Sequence, residues 1–261
     1  MKKIIALLLA VALMACFAGC GKSDAKSDKT DLEYIKEKGK LVVGITDFAP
    51  MDYKDGDKWI GFDADMATKF AEKIGCEVEF VEIEWDNKVF ELNGKSIDCV
   101  WNGMTLNDEV KAAMATSNAY CNNAQVVVVK ADVAQDYQTA EACKKLKFAV
   151  ESGSAGKDMA EENGFEFIEV KDQATALMEV ASGTSDAAII DSLMAAAMVG
   201  EGTGYEQLTY TVALNSEEYG VGFRKGSDAV AELNKFFDEC KADGTLEKIA
   251  ETYKVQAALI K

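Results

Sequence analysis

The strongest constraint on the fold is a rhythm that runs twice through the chain. An apolar run of strand length at residues 41–45 is followed by a stretch, 62–74, in which Phe62, Met66, Phe70, Ala71 and Ile74 recur at helical spacing until Gly75 stops it. Alternating polar and apolar residues at 77–83 predict a second strand, 88–93 a short helix and 97–101 a third strand. After the apolar run at 125–129 the pattern restarts: strand 148–150, helix 155–163, strand 165–170, helix 173–181 and strand 187–190. Succession of this kind demands parallel strands with helices on the sheet faces, so two α/β units follow one another. A last strand at 220–223 and two helical stretches complete the chain, one lined by Val230, Leu233, Phe236 and Phe237, the other by Leu246, Ile249, Ala250 and Tyr253.

Charge and composition limit the chemistry. Acidic residues outnumber basic ones 45 to 28, a formal net charge of −17, so a nucleic-acid backbone would be repelled over most of the surface. Histidine is absent, which removes Ser-His-Asp triads, Cys-His dyads and His-ligated metal sites. Beyond Cys20 the cysteines are Cys76, Cys99, Cys121, Cys143 and Cys240, without a Cys-x-x-Cys pair. One or two bridges are compatible with that odd set, and Cys99, inside an apolar run, reads as a buried thiol. No metal, cofactor or catalytic residue is expected.

Lys2 and Lys3 precede an apolar run at 4–15 that is too short to span a bilayer and fits an export signal. Phe17-Ala18-Gly19-Cys20 then resembles a bacterial lipobox. That implies removal of residues 1–19, a lipid on Cys20 and a polar, flexible tether over 20–30. Leu13-Met14-Ala15-Cys16 is a weaker competing match, and ordinary signal cleavage would leave Cys20 free and the protein untethered.

Six segments stand together in a recognisable order: Gly61-Phe62-Asp63-Ala64-Asp65-Met66-Ala67, Gly94-Lys95-Ser96-Ile97-Asp98, Asn102-Gly103-Met104-Thr105, Glu151-Ser152-Gly153-Ser154-Ala155-Gly156, Asp186-Ala187-Ala188-Ile189-Ile190-Asp191 and Asp243-Gly244-Thr245-Leu246. Their order and spacing over residues 31–255 resemble the polar-amino-acid solute-binding proteins of bacterial ABC importers. The resemblance implies a type II periplasmic-binding-protein-like α/β fold: lobe 1 from 31–127 plus 217–261, lobe 2 from 128–216, and a hinge of two crossover strands near 126–129 and 214–220. It also implies a monomer outside the cytoplasm that closes around a small molecule and delivers it to a permease. A ligand that touches both lobes only in the closed form shifts the open-closed equilibrium by its differential affinity.

Carried over position by position, the resemblance makes Phe48 and Trp85 the rings that sandwich the ligand. Asn102, Gly103 and Thr105 become the loop that holds a carboxylate, Ser154 and Ala155 main-chain donors at a helix start, and Asp191 the partner of an α-ammonium group. Phe48 and Trp85 also suit the core, Trp101 fits core and cleft equally, and Asp191 could simply cap the following helix. Asp47 is a candidate cleft carboxylate, whereas Asp52 reads as a surface charge. One departure from the family pattern is informative: the arginine that clamps an α-carboxylate is Val110 here, and the single arginine, Arg224, lies elsewhere. Lys111 is left as a point charge without the planar fork. Glu151 stands where a glutamine-binding relative carries lysine, which with Asp47 and Asp191 makes the cleft acidic, while Trp85, Phe48 and Trp101 offer ring faces to a cation. The expected ligand is a basic amino acid or an amine without a free carboxylate, with a neutral polar amino acid as the alternative. Exported cyclohexadienyl dehydratases, similar in fold, are the other class, with Glu151 and Lys111 as the acid-base pair.

Overall fold

The computed structural model describes residues 29–261, so the export signal and the lipidation of Cys20 lie outside the described residues. Helix α1 (Asp31–Lys38) leads into β1 (Lys40–Ile45), and a hairpin of β2 (Tyr53–Asp55) and β3 (Lys58–Ile60) turns at Gly56, φ 61°. Helix α2 (Phe62–Ile74) buries Phe62, Met66 and Phe70 and ends at Gly75 in the left-handed conformation that glycine adopts without a Cβ clash. Next come β4 (Glu77–Glu82), α3 (Lys88–Asn93), β5 (Cys99–Thr105), α4 (Asp108–Ala113), β6 (Ala115–Thr116) and β7 (Cys121–Asn123). The second unit contains β8 (Gln125–Lys130), α5 (Ala140–Cys143), β9 (Lys147–Glu151), α6 (Ala155–Asn163), β10 (Glu166–Val170), α7 (Gln173–Ser182), β11 (Ala187–Asp191), α8 (Ser192–Met198) and β12 (Leu208–Ala213). Strand β13 (Glu217–Phe223) then rejoins the first sheet, followed by α9 (Ala229–Ala242) and α10 (Thr245–Thr252).

These strands form two sheets, ordered β4-β1-β5-β13-β6 with β7 also on β13, and β10-β9-β11-β8-β12. The parallel rhythm holds for β4-β1-β5 and β10-β9-β11. Strands β13 and β8 pair antiparallel because each enters its sheet directly from the other one. The outcome is a mixed α/β body with two lobes, one per sheet. The chain crosses between them at 123–125 and 213–217, and a single carboxylate ties the crossings together. Glu217 Oε1 accepts from Asn123 Nδ2 (2.7 Å), Gln125 Nε2 (2.9 Å) and Thr105 Oγ1 (2.9 Å), while Oε2 accepts from Asn215 Nδ2 (2.8 Å).

The third strand starts at Cys99 because Ile97 and Asp98 are occupied otherwise. The fully buried Asp98 carboxylate accepts from Val42 N (2.8 Å), from Lys38 Nζ and from Arg224 Nη2 (3.1 Å). Arg224 also reaches Asp31 Oδ1 (2.6 Å) and Ile97 O (2.7 Å), so the one guanidinium fastens α1, β5 and β13. All five cysteines among the described residues are buried free thiols.

Candidate functional site

In each sheet one strand lies between two parallel neighbours, β1 between β4 and β5 and β9 between β10 and β11. Loops leaving such strands diverge and open a crevice at their carboxyl ends. The two crevices face each other across a cavity of about 300 Å³, lined by Phe48, Trp85, Lys88, Asn102, Gly103 and Thr105 of one lobe and by Glu151, Gly153, Ser154, Ala155, Gln173 and Asp191 of the other.

The lobe 1 floor is held from beneath. Asn102 Oδ1 accepts from the Thr46 backbone and hydroxyl, both at 2.8 Å, and Asn102 Nδ2 donates to Asp52 Oδ2 (2.8 Å). Gly103 N donates to Asp63 Oδ2 (2.6 Å), which also accepts from Tyr120 (2.7 Å). Asp52 is therefore wholly buried, which corrects its reading as a surface charge. The 48–52 turn, closed by Phe48 N to Asp52 O (2.7 Å), tucks that side chain under Asn102. Burial pushes both carboxyls up, Asp63 to about 7, and the neighbouring Asp63 charge adds to the rise at Asp52. Gly103, at φ 55°, lies so close to the Phe48 ring that a Cβ would stand 2.4 Å from it.

The lobe 2 wall carries two carboxylates at strand ends, and they differ in how fully they are used. Asp191 Oδ1 accepts from Gln125 Nε2 (3.0 Å), Tyr219 Oη (2.6 Å) and Asn123 Nδ2, and its Oδ2 accepts from Gln173 Nε2. Its side chain does not cap α8. Burial, then the Glu217 charge, raises it to about 7. Glu151 is 3% exposed, its Oε1 has no hydrogen-bond partner, and its Oε2 has only a long contact to Gln173 Nε2 (3.5 Å). Burial and then the Asp191 charge push Glu151 up to about 8.

Away from the crossings, three polar contacts among the described residues join the lobes. Lys88 Nζ donates to Gly153 O (2.9 Å), Asn107 Nδ2 approaches Asp158 Oδ2 (3.4 Å), and Lys171 pairs with Glu82 (2.6 Å). Lys88 also donates to Trp85 O (3.3 Å) and lies 4.9 Å from the Trp85 ring centroid, the face expected for a ligand cation. Gly153, at φ 68°, rests against Asp86 of the other lobe, where a Cβ would stand 2.8 Å from the Asp86 Cα. Gly153→Ala should wedge this contact apart. Ligand affinity is expected to fall about tenfold or more because of the steric wedge, while roughly 1 kcal/mol of left-handed backbone strain, present with or without ligand, is lost from stability instead. Isothermal titration of the variant checks this, and unchanged affinity would count against lobe closure at Gly153.

Of the eleven expected site residues, the structure brings Phe48, Trp85, Asn102, Gly103, Thr105, Glu151, Ser154, Ala155 and Asp191 to the cavity wall. Two are corrected. Asp47 is exposed and outside the wall, since Thr46 takes the inward position after β1 and turns its neighbour out among Lys54, Glu82, Lys171 and Asp172. Trp101 is fully buried on the opposite face of β5, packed on Phe237 (5.6 Å between centroids) and Phe70 (6.3 Å), as strand alternation with Asn102 requires. Lys111 is exposed and also outside the wall, so it forms no acid-base pair with Glu151. The Thr105 hydroxyl is spent on Glu217. Ser154 caps α6, its Oγ accepting from Lys157 N (3.2 Å). Lys88 and Gln173 were missed. Both open helices directly after strand-end loops, and helix starts at such loops are the signal that could have found them.

Comparisons with known proteins agree with this geometry. Residues 41–256 match the bacterial extracellular solute-binding proteins, family 3. The chain is 29% identical to the arginine-binding extracellular protein ArtP of Bacillus subtilis, over 97% of this chain and 98% of that one. It is 30% identical to the L-cystine-binding protein TcyA of the same organism, over 97% of each. A histidine-bound substrate-binding protein of an ABC uptake transporter from Streptococcus pneumoniae superposes with a TM-score of 0.81 at 27% identity, covering 90% of this chain and all of that one. With a ligand-sized cleft between two α/β lobes of the type II periplasmic-binding kind, and a match over nearly the whole described chain, the protein belongs to the bacterial extracellular solute-binding proteins, family 3.

Proposed function

We propose that this protein is the extracytoplasmic capture component of an ABC importer, tethered by a lipid on Cys20, and that its ligand is a positively charged amino acid or a related small amine. One observation carries the choice of ligand: Glu151 Oε1 is buried in the cleft wall without a hydrogen-bond donor. A buried carboxylate in that position is costly until a cation pairs with it. The rest of the wall points the same way, because Asp86, Glu109, Asp158, Glu161 and Asp191 join Glu151 against only Lys88 and Lys157. A cavity of about 300 Å³ suits a molecule of amino-acid size. Relatives that bind arginine and histidine agree with a basic ligand. Binding and release of the ligand unchanged is the activity proposed, and the Glu151–Lys111 pair of the dehydratase reading gives it no rival support, because Lys111 lies outside the wall.

A thermal-shift screen of basic, neutral and acidic amino acids and of simple amines tests this. Basic compounds should raise the melting temperature, by about 2.7 kcal/mol of added stability at a hundredfold excess over Kd. Stabilisation by neutral or acidic amino acids alone would refute it.

A further inference from the structure

Two ionisable groups face the cleft with bonding capacity left over, one on each lobe. Glu151 Oε1 is the first. The second is Lys88, which makes no salt bridge among the described residues: its ammonium gives two hydrogen bonds to the carbonyls of Gly153 and Trp85, and its third N–H has no protein acceptor. Lys157, the other ammonium in the wall, is committed to Glu169 (3.3 Å) and Glu161 (3.9 Å). Asp191 already has four donors. Trp85 lies beside Lys88, and burial lowers the affinity of the ammonium for its own proton, while Glu151, Asp86, Glu109 and Asp158 act on it through space without pairing with it. An ammonium held this way is stabilised by an anion, as Glu151 is by a cation. The pair is complementary to a zwitterion that lies between them.

We propose that Lys88 is the specificity-determining residue that takes the ligand's carboxylate, so that the ligand is a basic α-amino acid rather than a simple amine. This rests on the cationic reading above and deepens it. With Val110 supplying no charge, the positive group comes from the start of α3 instead of α4, and it sits on the lobe opposite Glu151. A zwitterion would then satisfy one charge on each lobe, which happens only when the cleft is closed. A simple amine would satisfy Glu151 and leave Lys88 as it was, facing a second positive charge.

The test compares two matched pairs, L-arginine with agmatine and L-lysine with cadaverine, by isothermal titration on the wild type, Lys88→Met and Lys88→Arg, with a melting curve for each variant. In the wild type at least one amino acid should bind about tenfold or more tightly than its decarboxylated partner, the usual scale of one charge-assisted bond. Lys88→Met should reverse that preference while Lys88→Arg keeps it, an exchange of selectivity that a fold defect would not produce. Amines that bind the wild type as well as the amino acids do, or an unchanged ratio in Lys88→Met, would overturn the role of Lys88 alone. Binding of neither pair would overturn the cationic reading beneath it.

Discussion

Glu151→Gln is expected to weaken binding of a cationic ligand by about 2–5 kcal/mol, roughly thirtyfold to several thousandfold, because it removes the charge from a buried pair while keeping its shape. The same change should leave the empty protein at least as stable as before. A carboxyl raised from 4.5 to about 8 binds its proton more tightly in the folded chain than in the unfolded one. Its contribution to stability is complete below pH 4.5 and is lost as pH rises through 8, so the glutamine variant gains most over wild type at pH 8–9. Affinity runs the other way. Pairing with a cation requires the carboxylate, so binding should strengthen by about tenfold per pH unit up to pH 8 and then level, with one proton released per ligand below that point. Calorimetry in buffers of different ionisation enthalpy reads the proton directly. Glu151→Gln should flatten the profile, and equal affinities in the two proteins would remove Glu151 from the site.

The second large effect concerns stability alone. Arg224→Met strips the guanidinium from Asp98 and Asp31 and leaves the fully buried Asp98 carboxylate to Lys38 and one backbone N–H. Breaking a buried pair by removing one partner costs about 3–5 kcal/mol. Arg224→Lys should recover little, since one ammonium cannot serve Asp31, Asp98 and the Ile97 carbonyl from the fork positions. Urea denaturation measures the loss, and ligand affinity at a temperature where the variant is folded should be unchanged, because Arg224 is not part of the cleft. A loss below about 1 kcal/mol would mean that this cluster is not the tie between α1, β5 and β13.

How much could be read from sequence follows from the range of the forces involved. Helix 62–74 and helix 155–163 were legible to the residue because their apolar spacing and their glycine stops are local facts. Glu151 and Asp191 were named through the family resemblance, and the structure places both at strand ends in the cavity wall, where crevices of α/β sheets open. Trp101 failed by one residue, since a strand has a period of two and a shift of one exchanges cleft for core, and Asp47 lies past the end of β1 in a loop whose inward position Thr46 takes. Asp52 required the 48–52 turn to close before its burial could be known. Lys88 was legible only as the start of a helix after a strand-end loop, not in its role. Its place over Trp85 is fixed by the Gly153 carbonyl, 65 positions away in the other lobe, and no local pattern encodes that approach. The parallel rhythm likewise left β8 and β13 undetermined, because their direction depends on which sheet the chain has just left.

The bond set at Glu217 has a bearing on what a partner protein could detect. With both connecting segments pinned to one side chain, swinging the jaws leaves little room for sliding or twisting and favours a single pivot. Cargo molecules of different length would then bring the outer rims together along one and the same path, so a docking surface would meet a single family of shapes that differ only in how far the rims have travelled.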